Sequence, residues 1–241
     1  MRPAGTVVEY RAVPAREPSS APETPPKLLR EPVSGFTHLG FSAVSVIGAT
    51  VLITLAAVYR KWWHLGAFIV YGVSLTLLYI VSSLYHLLPV SERAQRVLRQ
   101  LDHVAIFLLI AGTYTPICLV PLRGPWGWSL FGAVWTLALA GMFLAIFAIN
   151  APRWLSVGLY LGLGWLVIIA IWPLLHRIPP AGLLWFGIGG LFYTIGAVIY
   201  GVKRPNPAPG VFGFHEIFHL FMMAGSAAHF WAIARTVLPL P

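Results

Sequence analysis

The chain consists of long apolar stretches separated by short polar connections. Seven stretches are each close to the roughly 20 residues that a helix needs to cross about 30 Å of hydrocarbon at 1.5 Å per residue. Their apolar residues run continuously rather than alternating with polar ones, which favours helices over the shorter strands of a membrane barrel. We predict an all-α fold, a seven-transmembrane helix bundle, with spans at residues 36–58, 65–88, 101–122, 128–149, 154–175, 181–202 and 211–235.

The first 33 residues differ from the rest of the chain. They contain seven prolines, five basic and four acidic residues, and no apolar periodicity. Such a segment buries too little surface to offset the entropy of ordering it. We therefore predict a disordered, proline-rich cytoplasmic tail at residues 1–33 and a seven-helix membrane domain at residues 34–241.

The distribution of basic residues predicts the orientation of the bundle. Of the 16 Lys and Arg residues, eleven lie in the tail and in the connections on its side, and five lie on the opposite side. The positive-inside rule then places the amino terminus in the cytoplasm and the carboxyl terminus outside. His64 and His176 lie on the outer side, where we expect them to contact solvent.

Composition excludes several classes of protein. Hydrophobic residues make up 58% of the chain and charged residues 10%, whereas soluble domains carry about 25% charge. Cys118 is the only cysteine, which excludes an intrachain disulfide and a cysteine-based zinc finger. The net charge of +9 is spread between apolar runs rather than clustered, so we expect no nucleic-acid partner and expect membrane lipid instead.

Polar side chains within the predicted spans lie at a common depth. The second span ends, and the third and seventh begin, at the predicted cytoplasmic surface. His86 lies in the last turn of the second span and Asp102 in the first turn of the third. His215 and His219 lie about 6 and 12 Å inside the seventh span, and His38 lies near the start of the first. Ionisable groups inside a membrane are costly and mark candidate functional sites.

Two of these histidines have the spacing of metal ligands. His215 and His219 are four residues apart, so both rings lie on one face of a helix. The segment His215-Glu216-Ile217-Phe218-His219 also fits the H-E-x-x-H pattern of zinc proteases, in which Glu216 would be the general base. The side chain of Glu216 points about 100° away from that of His215 on a helix, which disfavours the protease interpretation.

The second span offers a third ligand. His86 would complete the three protein ligands that catalytic zinc sites use, and Asp102 could accept a hydrogen bond from a water molecule beside the metal. Ser82 lies one turn before His86 and could donate to a developing oxyanion. Structural alternatives remain open: Asp102 could pair with Arg99 or cap the third helix, and Ser82 could bond to its own helix backbone.

Three motifs in order resemble those of the hemolysin III family, within the progestin and adipoQ receptor superfamily. The resemblance extends over residues 31–231. The first motif, E-x-x-N-x-x-x-H, is Glu31, Ser34 and His38, with serine in place of asparagine; the second, S-x-x-x-H followed by an aspartate, is Ser82, His86 and Asp102; the third, H-x-x-x-H, is His215 and His219.

The resemblance implies a zinc ion bound by His86, His215 and His219, with Asp102 reaching the metal through water and Ser82 nearby. Related adiponectin receptors and alkaline ceramidases are associated with hydrolysis of lipid amides. We therefore expect a multi-pass protein of a bacterial cytoplasmic membrane that acts as a ceramidase-like, zinc-dependent hydrolase of a lipid amide or ester. A sensor or regulator of membrane state with structural zinc is one alternative, and a cytolytic pore former is another.

Overall fold

The computed structural model describes residues 28–148 and 150–241. It confirms the predicted seven helices, each long and apolar enough to cross a membrane, and the described residues contain no β-strand. The helices are α1 (Pro32–Val58), α2 (Trp62–Leu87), α3 (Glu92–Leu119), α4 (Pro125–Phe147), α5 (Arg153–Leu175), α6 (Pro180–Val202) and α7 (Phe214–Val237). Short connections join consecutive helices, so the ends of α2 and α6 and the starts of α1, α3 and α7 share one end of the bundle.

Helix α3 lies at the centre of the bundle and contributes to both of its apolar cores. One core joins α3 to α1, α2 and α7 and includes Phe68, Tyr79 and Leu109. The other joins α3 to α4 and α5 and includes Phe107 and Val134. Large apolar side chains elsewhere face outward and are exposed along most helices, as is expected of surfaces that contact lipid tails.

The largest difference from the predicted boundaries is at the start of α3, and α5 departs from a regular helix in its interior. Helix α3 begins at Glu92 rather than at residue 101 because its first turns are polar but helical, and Ser91 Oγ accepts the Ala94 N–H at 3.5 Å. Helix α5 contains a 3₁₀ segment, Leu166–Ala170. Pro173 follows this segment, and a proline has no N–H to donate and clashes with the carbonyl four residues earlier.

The start of α1 is attached to the end of α2. The Glu31 N–H donates to the His86 carbonyl at 3.0 Å, and Arg30 Nη1 donates to the Tyr85 carbonyl at 3.1 Å. A Cβ at Gly35 would lie less than 3.0 Å from side-chain atoms of Leu87, so glycine permits this close approach. The predicted disordered tail lies mostly outside the described residues. Its described part is residues 28–33, of which Pro32 and Val33 already belong to α1.

At the opposite end of the bundle, one sequence-based expectation is wrong. His64 is 2% exposed rather than solvated, because its Nε2 lies 3.1 Å from the Val237 carbonyl at the end of α7. Lys61 Nζ donates to the nearby Leu238 and Leu240 carbonyls. His176 is exposed, as predicted. Burial of His64 therefore depends on how the last residues of α7 cover the start of α2.

Candidate metal centre

Three histidines from α2 and α7 converge at the end of the bundle where α1 begins. His86 is the last residue but one of α2, and His215 and His219 lie in the first two turns of α7. One ligand nitrogen from each ring lies within 4.8 Å of the other two. His86 and His219 are 1% and 3% exposed, and His215 is half-buried. We call these three residues the histidine cluster.

One pair of nitrogens in the histidine cluster already has the spacing of two ligands of a single metal ion. His86 Nε2 and His215 Nε2 lie 3.4 Å apart. Two nitrogens bound to one tetrahedral zinc ion at about 2.0–2.1 Å lie about 3.3–3.4 Å from each other. Three neutral imidazoles are also the protein ligands of one type of catalytic zinc site. The residues present therefore suit zinc, and imidazole also binds other transition metals.

A carboxylate outside the membrane span fixes the tautomer of the His86 ring. His86 Nδ1 lies 2.6 Å from Glu31 Oε2. A carboxylate can only accept a hydrogen bond, so Nδ1–H is the donor and Nε2 of the neutral ring carries a lone pair. This hydrogen bond from His86 also lowers the pKa of the Glu31 carboxyl below its usual value. In that neutral tautomer, the His86 nitrogen that faces His215 is the one with the lone pair that can bind a metal.

The other residues of the first sequence motif also lie against the histidine cluster. The His38 ring stacks on His219 with centroids 3.9 Å apart, and it lies nearly perpendicular to the Tyr79 ring with centroids 4.9 Å apart. Ser34 Oγ donates to Glu216 Oε1 at 2.9 Å, while Glu216 Oε2 accepts the Gly213 N–H at 2.7 Å. Glu216 therefore caps α7 and binds α1 rather than joining the histidine cluster.

A polar cavity of about 590 Å³ opens beside the histidine cluster. All three histidines and Asp102 line it, together with Arg99 and Arg153. The Asp102 side chain forms no hydrogen bond or ion pair with any other residue in the described ranges, so the pairing with Arg99 is not made. Ser82 is buried, but it is not among the residues that line the cavity. The structure therefore brings Asp102, and not Ser82, to the space next to the histidine cluster.

Sequence reasoning did not predict the contacts made by Glu31, Ser34 and His38. Their spacing over about two helical turns, just before and within the first span, and their match to the first family motif were the available signals. That spacing places the three side chains on neighbouring faces at the start of α1. It does not reveal that α1 packs against α2 and α7 at that level.

This fold and site define a class of polytopic membrane protein that has a three-histidine centre at one end of its helices. Residues 27–230 match the family described as Haemolysin-III related. The chain is 36% identical over 211 residues to the Hemolysin-3 homolog of Bacillus subtilis (strain 168), covering 88% of this chain and 96% of that protein. It is 38% identical over 210 residues to Hemolysin-3 of Bacillus cereus, covering 87% and 92%.

A more distant relative is the human Monocyte to macrophage differentiation factor, which is 24% identical over 211 residues, covering 86% of this chain and 84% of that protein. The chain belongs to the haemolysin III family. This confirms the resemblance found from the three motifs. It also supports the assignment as an integral, multi-pass membrane protein.

Proposed function

We propose that this protein is a zinc-dependent membrane hydrolase that cleaves an amide or ester bond of an amphiphilic lipid. The observation that carries the proposal is the convergence of His86, His215 and His219 on one cavity that Asp102 also lines. Three imidazoles with a free carboxylate beside them are a set of groups that can activate water.

Each residue of this set has its own role in the proposed reaction. His86, His215 and His219 would hold the metal. A zinc ion held there would supply Lewis acidity, which lowers the pKa of bound water towards about 7 and polarises a carbonyl group. Asp102 has no competing partner among the described residues and would accept the proton of the attacking water. We assign Ser82 no step, because its side chain does not line the cavity.

A second cavity supports a lipid as the substrate. It has a volume of about 240 Å³ and an almost entirely apolar lining from α3, α5, α6 and α7. Four residues line both this apolar cavity and the polar cavity: Ile106, Tyr160, Ala197 and Phe218. A substrate could therefore place its carbonyl group beside the histidine cluster and its hydrocarbon chain in the apolar cavity.

The depth of the histidine cluster agrees with this class of substrate. His86 lies one residue from the end of α2, and His215 one residue from the start of α7. At 1.5 Å per residue both lie within a few ångströms of the ends of the apolar spans. The carbonyl groups of membrane lipids lie near this boundary between hydrocarbon and headgroups.

A membrane sensor or regulator with structural zinc is the second candidate. Contacts that tie α1 to α2 and α7 favour it, namely the pairs Glu31–His86 and Ser34–Glu216. A metal at the same position would lock these three helices together. Lysis of cells, which the names of the Bacillus relatives suggest for those proteins, stays a separate prediction for this chain.

The hydrolase proposal is tested with purified full-length protein in mixed micelles. Zinc-loaded and chelator-stripped samples are incubated with ceramide and with phospholipid, and released fatty acid is quantified. We expect fatty-acid release by the zinc-loaded sample only. Absence of release from every lipid, in an assay that detects an alkaline ceramidase run in parallel, would contradict the hydrolase proposal. Zinc binding without release would favour the structural role.

A further inference from the structure

Glu31 contacts His86 through both its backbone and its side chain. Its N–H donates to the His86 carbonyl at 3.0 Å, and its carboxylate accepts the His86 Nδ1–H at 2.6 Å. The His86 ring is 1% exposed, whereas 41% of the Glu31 side chain is exposed. A carboxylate at the rim of the bundle thus reaches a ring that is otherwise enclosed by protein.

We propose that Glu31 is a positioning residue, which holds His86 in the tautomer and ring orientation that binds the metal. This inference rests on the metal centre of the proposed function. Metal-binding histidines commonly donate their second ring N–H to a carboxylate, which fixes the ring and raises the basicity of the ligand nitrogen. The 2.6 Å contact on Nδ1, opposite the Nε2 that faces His215, has this arrangement.

Of the three histidines in the cluster, His86 is the one whose ring N–H donates to a carboxylate among the described residues. No carboxylate in the described ranges lies within hydrogen-bond distance of a ring nitrogen of His215 or His219. His219 Nδ1 is buried without a hydrogen-bond partner among the described residues. Glu216, the acidic residue between them in sequence, is occupied by Ser34 and the Gly213 N–H. Loss of the Glu31 carboxylate should therefore remove the one carboxylate that, among the described residues, contacts a ring of the histidine cluster.

Apart from His86, the Glu31 carboxylate makes few contacts that stabilise the structure. The segment before α1 is attached without it, through the Glu31 N–H to His86, the Gly35 N–H to the Glu31 carbonyl and Arg30 to the Tyr85 carbonyl. The Arg30–Glu31 ion pair is 4.0 Å long and partly exposed, and such pairs contribute little to stability. Truncation of the Glu31 side chain should thus leave this attachment in place and act on His86.

Zinc affinity measured by competition with a chromophoric chelator tests the inference on full-length protein in detergent. Loss of such supporting groups typically lowers metal affinity about 10–100-fold, and we expect this for Glu31→Ala. Glu31→Gln should rescue part of the affinity, because its amide oxygen still accepts the Nδ1–H but carries no charge. Arg30→Gln is the matched control, since it removes the ion pair and the Tyr85 bond, and it should bind zinc like the wild type.

Absorption of bound Co²⁺ provides a readout that a general loss of stability would not move. The visible bands should shift in Glu31→Ala, where the His86 ring loses its fixed orientation, and should stay near the wild-type positions in Glu31→Gln. Wild-type affinity in Glu31→Ala would overturn the inference, and so would an equal loss of affinity in Arg30→Gln. Wild-type protein that binds zinc but hydrolyses no lipid would contradict the hydrolase and leave the role of Glu31 intact.

Discussion

Gly35→Ala tests the close approach of α1 and α2 that positions Glu31 and His86. A Cβ added at Gly35 would lie less than 3.0 Å from Cγ and Cδ2 of Leu87, the residue after His86. Relief of this clash requires either a new rotamer of the partly exposed Leu87 side chain or movement of α1 away from α2. The second response would carry Glu31 away from His86.

The expected magnitude follows from comparison with a second glycine of the same helix. A Cβ added at Gly40 meets no atom within 4 Å, so Gly40→Ala should show only the gain in helix propensity, about 1 kcal/mol. Gly35→Ala has the same gain but adds overpacking, which typically costs about 1–3 kcal/mol. The free energy of unfolding of Gly35→Ala should therefore be about 1–3 kcal/mol below that of Gly40→Ala.

Reversible unfolding in SDS-containing mixed micelles, followed by circular dichroism, measures this difference, and chelator competition reports zinc affinity for the same samples. We expect zinc affinity to fall in Gly35→Ala and to stay unchanged in Gly40→Ala. The double variant Gly35→Ala/Leu87→Ala removes the clashing atoms and should recover most of both losses. Equal stability of the two single variants would refute the reasoning that Gly35 is required for the approach of α1 to α2.

Two further predictions concern the cavities. Asp102→Asn should retain zinc, and its rate of lipid hydrolysis should fall about 10²–10⁴-fold, the usual contribution of a general base. Zinc content and fatty-acid release measure the two effects. An unchanged rate of hydrolysis would show that Asp102 has no part in the mechanism. Ala197→Phe places a large ring where the polar and apolar cavities meet. Release of long-chain fatty acids should fall more than release of short-chain ones at unchanged zinc content, and equal effects on both would argue against the apolar cavity as the site of the hydrocarbon chain.

The sequence predicts the helices well because the membrane imposes a simple rule on them. Every backbone polar group in hydrocarbon must be satisfied within the segment, so apolar length alone identifies each span. The same rule cannot detect the polar first turns of α3, which continue the helix beyond the apolar span. It also cannot detect the 3₁₀ segment in α5, which depends on the local geometry before Pro173.

Part of the candidate site is also visible in the sequence. Helix ends and a rise of 1.5 Å per residue place His86, His215 and His219 at one depth, and the structure brings them within 4.8 Å of each other. Depth does not determine which faces of two helices meet. The contacts of Glu31 with His86 and of His38 with His219 depend on the packing of α1 against α2 and α7, and no single-sequence pattern specifies that packing.

Zinc content and lipid turnover, measured together in wild type, His219→Ala and His176→Ala, test the central claim most directly. His176 is the matched control because it is an exposed histidine at the other end of the bundle. We predict one zinc ion per chain and zinc-dependent fatty-acid release in wild type and His176→Ala, and loss of both in His219→Ala. Zinc retained by His219→Ala at the wild-type level, or hydrolysis that continues after zinc is removed, would contradict the account.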